Sequence, residues 1–350
     1  MNDASRHTTT PGGFPYVKSL DGVRAASILL VLAGHTLPLG PNDWGLNSVA
    51  ARSGMALFFC LSGYLIVTIL HRNTDIIEFF VKRLCRIVPS VALYLTILVV
   101  FFGLPLTTML LNLTFLSNYF TQGIEGGPLS HLWSLCVEVQ FYVAIALVVL
   151  LLGRRGLWLV PVAAIFFTGL RIDDQIIVNI NTHWRVDEIL AGGCLALVHI
   201  HAGEAMRRWL ANPVMAGTLI AILTALFLLS GHNDGYPFYY FRPYFSAILV
   251  GVILFSNVKP LMRVLESRVA GYIARISYAL YIYHPLMVSG FMNTGSDIER
   301  YLLKRPVSYA LTWAAAHVST FYWEAWWQKA ARSYLARRDA GRAEKAPVGT

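Results

Sequence analysis

Ionisable side chains stand inside apolar runs of this sequence, where they are least tolerated. Arg24 and His35 lie eleven residues apart in the first run, His131 and Glu138 open a middle one, Asp187 and Glu188 open another, and His284 and Glu324 fall in the last two. Each such group costs at least a few kcal/mol at mid-membrane, so it is kept for a site or a path. A neutral imidazole can take the proton of a hydroxyl near neutral pH, and a carboxylate can orient that imidazole and stabilise its protonated form. At 1.5 Å per residue, His35 lies roughly 20 Å from one end of its run and Glu138 roughly 10 Å from the opposite end of its own. These are the same level of a core about 30 Å thick, so the two are expected to meet, with His35 as base. Taken singly, each group is explained equally well by a hydrogen bond to a neighbouring helix. Together they point to a buried polar site, catalytic or on a transport path.

A second group lies between His71 and Pro89, where Lys82, Arg83 and Arg86 alternate with Phe79 and Phe80. Guanidinium forks match phosphate oxygens, so Arg83 and Arg86, one helical turn apart, suit a phosphate-rich ligand. A basic anchor among lipid headgroups accounts for the stretch about as well.

These groups need helices to carry them. Of 350 residues, 56% are hydrophobic and 13% charged, against roughly 25% charged in soluble domains; the mean hydropathy is +0.55. That balance excludes a secreted disulfide scaffold, a nucleic-acid-binding domain and a disordered chain. The four cysteines form no CxxC pair, so neither a zinc site nor a disulfide framework is indicated and no metal is expected. The polar start, Met1 to Asp21, delays the first apolar run too long for a cleaved signal. Eleven runs are candidate spans: 23–39, 50–70, 88–105, 107–120, 131–152, 156–170, 186–201, 211–231, 239–256, 273–292 and 307–327. The fourth is short and carries Asn112, Ser117 and Asn118, which makes it interfacial or re-entrant. If it does not cross, most of the 28 Lys and Arg residues fall on the side of both termini. Arg52, Arg171, Arg185, Arg242, Arg300, Lys304 and Arg305 are left on the other side. The positive-inside bias then predicts an all-α polytopic membrane protein of about ten transmembrane helices plus one short interfacial or re-entrant segment, with both termini cytoplasmic.

With these positions in hand, the sequence resembles the acyltransferase 3 family of integral membrane acyltransferases, from about Ser19 to Arg332. Six strings occur in the family's order: SLDGVRAASILLVLAGHT with Arg24 and His35, GMALFFCLSGYLI around Ser62, Gly63 and Tyr64, and FFVKRLCRIVPS with Arg83, Arg86 and Pro89. HLWSLCVEVQFY follows with His131, Trp133, Ser134, Glu138 and Phe141, then WRVDEILAGGCLA with Asp187, and ISYALYIYHP ending at His284 and Pro285. Tyr283, Val139 with Gln140, and Ala325 after Glu324 depart from the family's commoner residues. The resemblance divides the chain into a polar cytoplasmic segment over 1–18, the membrane domain over 19–332 and a basic cytoplasmic tail over 333–350.

What the resemblance implies is an O-acyltransferase of the cell's inner (cytoplasmic) membrane, moving an acyl group, usually acetyl, from cytoplasmic acyl-CoA to a carbohydrate hydroxyl. His35, Glu138 and Arg24 are then the catalytic candidates, and Arg83, Arg86 and Arg24 hold the acetyl-CoA donor. His131, Trp133, Asp187, His284 and Glu324 are acceptor candidates, with the sugar stacking on Trp133. Arg171, Arg185 and Arg242 are weaker acceptor candidates, since solvated loop charges account for them more simply. No SGNH hydrolase-like domain is expected to follow, and the membrane domain itself or a separate extracytoplasmic partner is then expected to complete the transfer. Lipid surrounds the protein and no nucleic acid is a partner. A transporter or flippase, or an acyl relay to a second protein, are the competing classes.

Overall fold

The apolar runs fold as helices in the computed structural model, which describes residues 17–120, 127–232 and 234–344. Most of the predicted N-terminal segment and the last residues of the tail lie outside the described residues. The chain runs through α1 (Lys18–Thr36), α2 (Leu46–Arg72), α3 (Ile76–Phe102), α4 (Leu106–Leu113), α5 (Trp133–Leu152), α6 (Leu159–Asp173) and α7 (Thr182–Trp209). It continues through α8 (Pro213–Leu229), α9 (Phe238–Phe255), α10 (Lys259–Leu265), α11 (Arg268–Tyr283), α12 (Arg305–Val318) and α13 (Ala325–Glu344), with no strand among the described residues.

Local chemistry sets the boundaries. Asp75 caps α3 by accepting from the Glu78 backbone N–H at 2.9 Å, Asn212 caps α8 just before Pro213, and Ser267 caps α11 through Ala270 N–H at 3.1 Å. Gly103, at φ +69°, ends α3 in the left-handed conformation that glycine adopts without strain. The tenth predicted run, 273–292, is α-helical only to Tyr283. Pro285 lacks a backbone donor and restricts His284, so the chain continues as a tighter turn over His284–Met287. The last predicted run is continuous helix, α12 and α13 being joined by a π-helical stretch, Ser319–Glu324. The fourth run is an eight-residue α4, about 12 Å long and far short of a bilayer core.

Burial is arranged for lipid. Phe101, Leu151, Val214 and Leu302 are each at least two-thirds exposed, whereas Arg171 and Arg242 are buried; a soluble protein has the opposite pattern. Among the described residues, Asn42–Arg72, Ile76–Phe102, Gly127–Asp173, Thr182–Trp209 and Phe238–Phe255 hold five helices long and apolar enough to cross a membrane. The protein is membrane-embedded. Within the bundle α2 packs directly on α7. A Cβ on Gly63 would overlap the Ile189 carbonyl oxygen, and one on Gly192 that of Cys60, so these glycines allow the two backbones to touch.

Candidate active site

Helices α1, α2, α5 and α11 each send side chains into a file of three cavities. The first, about 760 Å³, opens among the starts of α1 and α11 and the π-helical stretch before α13, and Lys18, Arg24, Arg86, Arg268, Arg275 and Glu324 line it. The second holds about 40 Å³, between Arg24, Phe58, Ser62, Arg83, Glu138 and Tyr278. The third, about 700 Å³, is lined by His35, His131, Trp133, Arg185, Tyr281 and His284. Arg24 and Arg86 border both the first and the second. Along α11, Gly271, Arg275, Tyr278, Tyr281 and His284 serve the cavities in turn, because residues three or four apart share a helix face.

In the third cavity two imidazoles, His284 and His35, are directed by hydrogen bonds. His284 Nδ1 lies 2.7 Å from the Tyr281 carbonyl oxygen. A carbonyl only accepts, so Nδ1 carries the proton and, in the neutral ring, Nε2 is left as an acceptor. His284 Nε2 is 3.2 Å from His35 Nδ1, which must therefore donate to it. His35 Nε2 is then the nitrogen with the free lone pair, in the arrangement that lets one group orient a general base. The two rings stack, with centroids 5.2 Å apart, and His131 meets His284 edge-on at 5.5 Å. Among the described residues, no three His, Cys, Asp or Glu side chains are grouped so as to hold a metal ion.

Glu138 is not the partner of His35. Its carboxylate accepts from the Ser62 hydroxyl and, at 2.5 Å, from Tyr142, and it faces the narrow cavity with Arg24 and Arg83. Equal depth did not bring the two together because depth says nothing about which face of each helix is turned inward. Between them Phe58 stacks on Tyr281, centroids 6.0 Å apart and planes at 14°. The Tyr281 hydroxyl donates to the His131 carbonyl at 2.6 Å.

Other expected residues separate in the same way. Arg86 borders the large basic cavity, whereas Arg83 faces only the narrow one, 5.9 Å from the centre of the Tyr142 ring. Glu324, expected at the acceptor site with His131, lines the basic cavity instead and accepts from Ser319 at 3.2 Å. Asp187, also expected there, is buried in an ion pair with Arg171 at 2.9 Å. Arg171 and Arg242 are not solvated loop charges. Arg171 also donates to the Tyr239 and Tyr240 carbonyls, and Arg242 Nε lies 2.8 Å from Glu188. Two carboxylates at the head of α7 needed buried counter-ions, a signal present in the sequence. Tyr281 and Tyr278 were also legible, at three-residue spacing before His284. Tyr142 was not, since tyrosines abound in such chains.

A family model described as an acyltransferase domain, that of the acyltransferase 3 family, matches residues 17–326. The chain belongs to this family. All six strings of the resemblance lie within the matched residues. Relatives of this acyltransferase 3 chain include "Peptidoglycan O-acetyltransferase OatA" of Listeria monocytogenes, 27% identical over 79% of this chain and 50% of the relative. Another is "O-acetyltransferase OatA" of Staphylococcus aureus, 25% identical over 80% of this chain and 51% of the relative. The chain thus spans about half the length of the relatives it matches. No solved structure matches it.

Proposed function

We propose that this acyltransferase 3 chain is a ten-span membrane O-acyltransferase that moves an acetyl group from acetyl-CoA, bound at its basic cavity, to a hydroxyl of a carbohydrate in its histidine cavity. The observation that carries the reading is the file of cavities along α1 and α11, with cations at one end and an oriented imidazole pair at the other. Five cations around the basic cavity fit a donor with several phosphates. The narrow cavity fits only the slender arm of the thioester, with Arg24 at its entrance from the basic cavity. In the histidine cavity His35 Nε2 takes the proton of the acceptor hydroxyl, and its oxygen forms the new ester bond as the thioester C–S bond breaks. The CoA sulfur leaves as thiolate and collects a proton. His284 holds His35 in the competent tautomer throughout.

The distribution of Lys and Arg supports a cytoplasmic basic cavity and both termini on that side of the cell's inner membrane, so CoA need not cross. The relatives' names support a carbohydrate acceptor. The test is ester-linked acetate released by mild alkali from envelope and exported glycans of wild type, gene deletion and His35→Ala at equal membrane abundance. Loss of acetate from one glycan fraction in both altered strains is expected. Acetate unchanged in every fraction would overturn the reading and favour transport, and acetate retained by His35→Ala would remove His35 from the mechanism.

A further inference from the structure

The two large cavities differ in charge. The basic cavity interleaves its cations with Asp21, Glu266 and Glu324. Among the described residues lining the histidine cavity there is no carboxylate, and its basic groups are Arg52, Arg185 and the three histidines. Behind its wall lie five buried ions, Arg171, Arg185 and Arg242 against Asp187 and Glu188, none more than 3% exposed. Asp187 serves Arg171, and Glu188 is shared by Arg242 and Arg185, the latter at 3.2 Å. Three guanidiniums against two carboxylates leave a positive charge over, even with both carboxylates ionised.

Arg185 is the member of this cluster that reaches the cavity. Its guanidinium lies 5.1 Å from the centre of the Trp133 ring, which forms the same wall. Its Nε and Nη1 have no hydrogen-bond partner among the described residues. Surplus buried charge is costly at low dielectric unless an opposite charge arrives, and a field focused in a low-dielectric cavity draws that charge in.

We infer that the accepted carbohydrate is acidic: it carries a carboxylate or a phosphate that pairs with Arg185 while its hydroxyl meets His35 and its ring packs on Trp133. This rests on the O-acyltransferase reading and narrows its substrate. A neutral glycan could fill the cavity but would leave the surplus charge unmatched.

The experiment maps the acetylated residue. The glycan that loses ester-linked acetate in the gene deletion is fragmented and sequenced by mass spectrometry before and after mild alkali. The expected result is acetate on a sugar that bears or adjoins a carboxylate or phosphate; carboxyl reduction and dephosphorylation of the fragments tell the two apart. Acetate on a wholly neutral repeat would overturn the inference and leave the O-acyltransferase reading standing. No acetate lost from any glycan would overturn that reading, and the inference with it. The unacetylated glycan of the deletion strain then serves as acceptor in membranes given radiolabelled acetyl-CoA. Arg185→Gln should raise the acceptor KM by about tenfold or more, the loss of one charge-assisted hydrogen bond, with the acetyl-CoA KM little changed and partial rescue by Arg185→Lys. An unchanged acceptor KM in Arg185→Gln would overturn the inference. If that variant does not accumulate, wild-type protein given the charge-neutralised acceptor provides the same comparison, and equal KM for charged and neutralised forms would overturn it.

Discussion

The basic cavity and the histidine cavity are nearly equal in volume and opposite in construction. Long cations interleaved with carboxylates surround the first, side chains that can rearrange around a polyanion. In the second, two of the three imidazoles are held by directed bonds, His284 to the Tyr281 carbonyl and His35 to His284. On the proposed function one end holds the donor and the other directs a proton, so damage to each should show in a different kinetic constant.

The largest effect expected is at the histidine end. His35→Ala should lower kcat for acetyl transfer by about 100-fold or more, and His284→Ala by less, since it removes the group that orients the base rather than the base itself. Equal activity of His284→Ala and wild type would dissolve the tautomer argument. Next, Asp187→Asn should act on folding and not on chemistry. It leaves Arg171 buried without its charged partner, a cost of about 3–5 kcal/mol, to be read as lost membrane abundance; a stable variant with a raised acceptor KM would return Asp187 to the binding site. At the basic end, Arg86→Gln should raise the KM for acetyl-CoA by about tenfold with a smaller change in kcat. Arg83→Gln should alter kcat more than KM, because Arg83 faces only the narrow cavity.

The smallest effect lies outside the membrane-spanning helices. Against the cost of its partial burial, the Glu78 backbone N–H and the Arg338 and Arg342 guanidiniums hold the Asp75 carboxyl down at about 2. Arg338 contacts it closely and Arg342 at 3.0 Å. A folded pKa below the ordinary aspartate value means that this tie of α13 to α3 is fully present above about pH 4 and is lost as pH falls through about 2. Asp75→Asn should weaken the tie by about 1 kcal/mol or less, seen as faster proteolysis of α13 at neutral pH. Unchanged proteolysis would show that α13 is held by packing alone.

Much of the fold was legible because spans of apolar residues announce themselves by length. The end of α11 was misplaced where a proline interrupts a run that stays apolar. In the site, Arg24, His35, His131 and His284 were all found from residue type and burial cost. Their grouping was not, since a depth estimate leaves open the rotation of each helix and hence whether Glu138 or His284 meets His35. The buried ions at the head of α7 escaped for a related reason. Arg185 is a near neighbour of Asp187 and Glu188 on α7, but Arg171 and Arg242 come from α6 and α9 and converge on them only in the folded bundle.

The central claim is that His35 is the base for transfer between the two cavities. The most direct measurement reconstitutes the purified protein in lipid with radiolabelled acetyl-CoA and the unacetylated glycan of the deletion strain, and follows label into alkali-labile ester. Wild type should transfer label, and His35→Ala should bind acetyl-CoA with near-normal affinity yet transfer almost none. Transfer by His35→Ala at a rate near that of wild type would contradict the account.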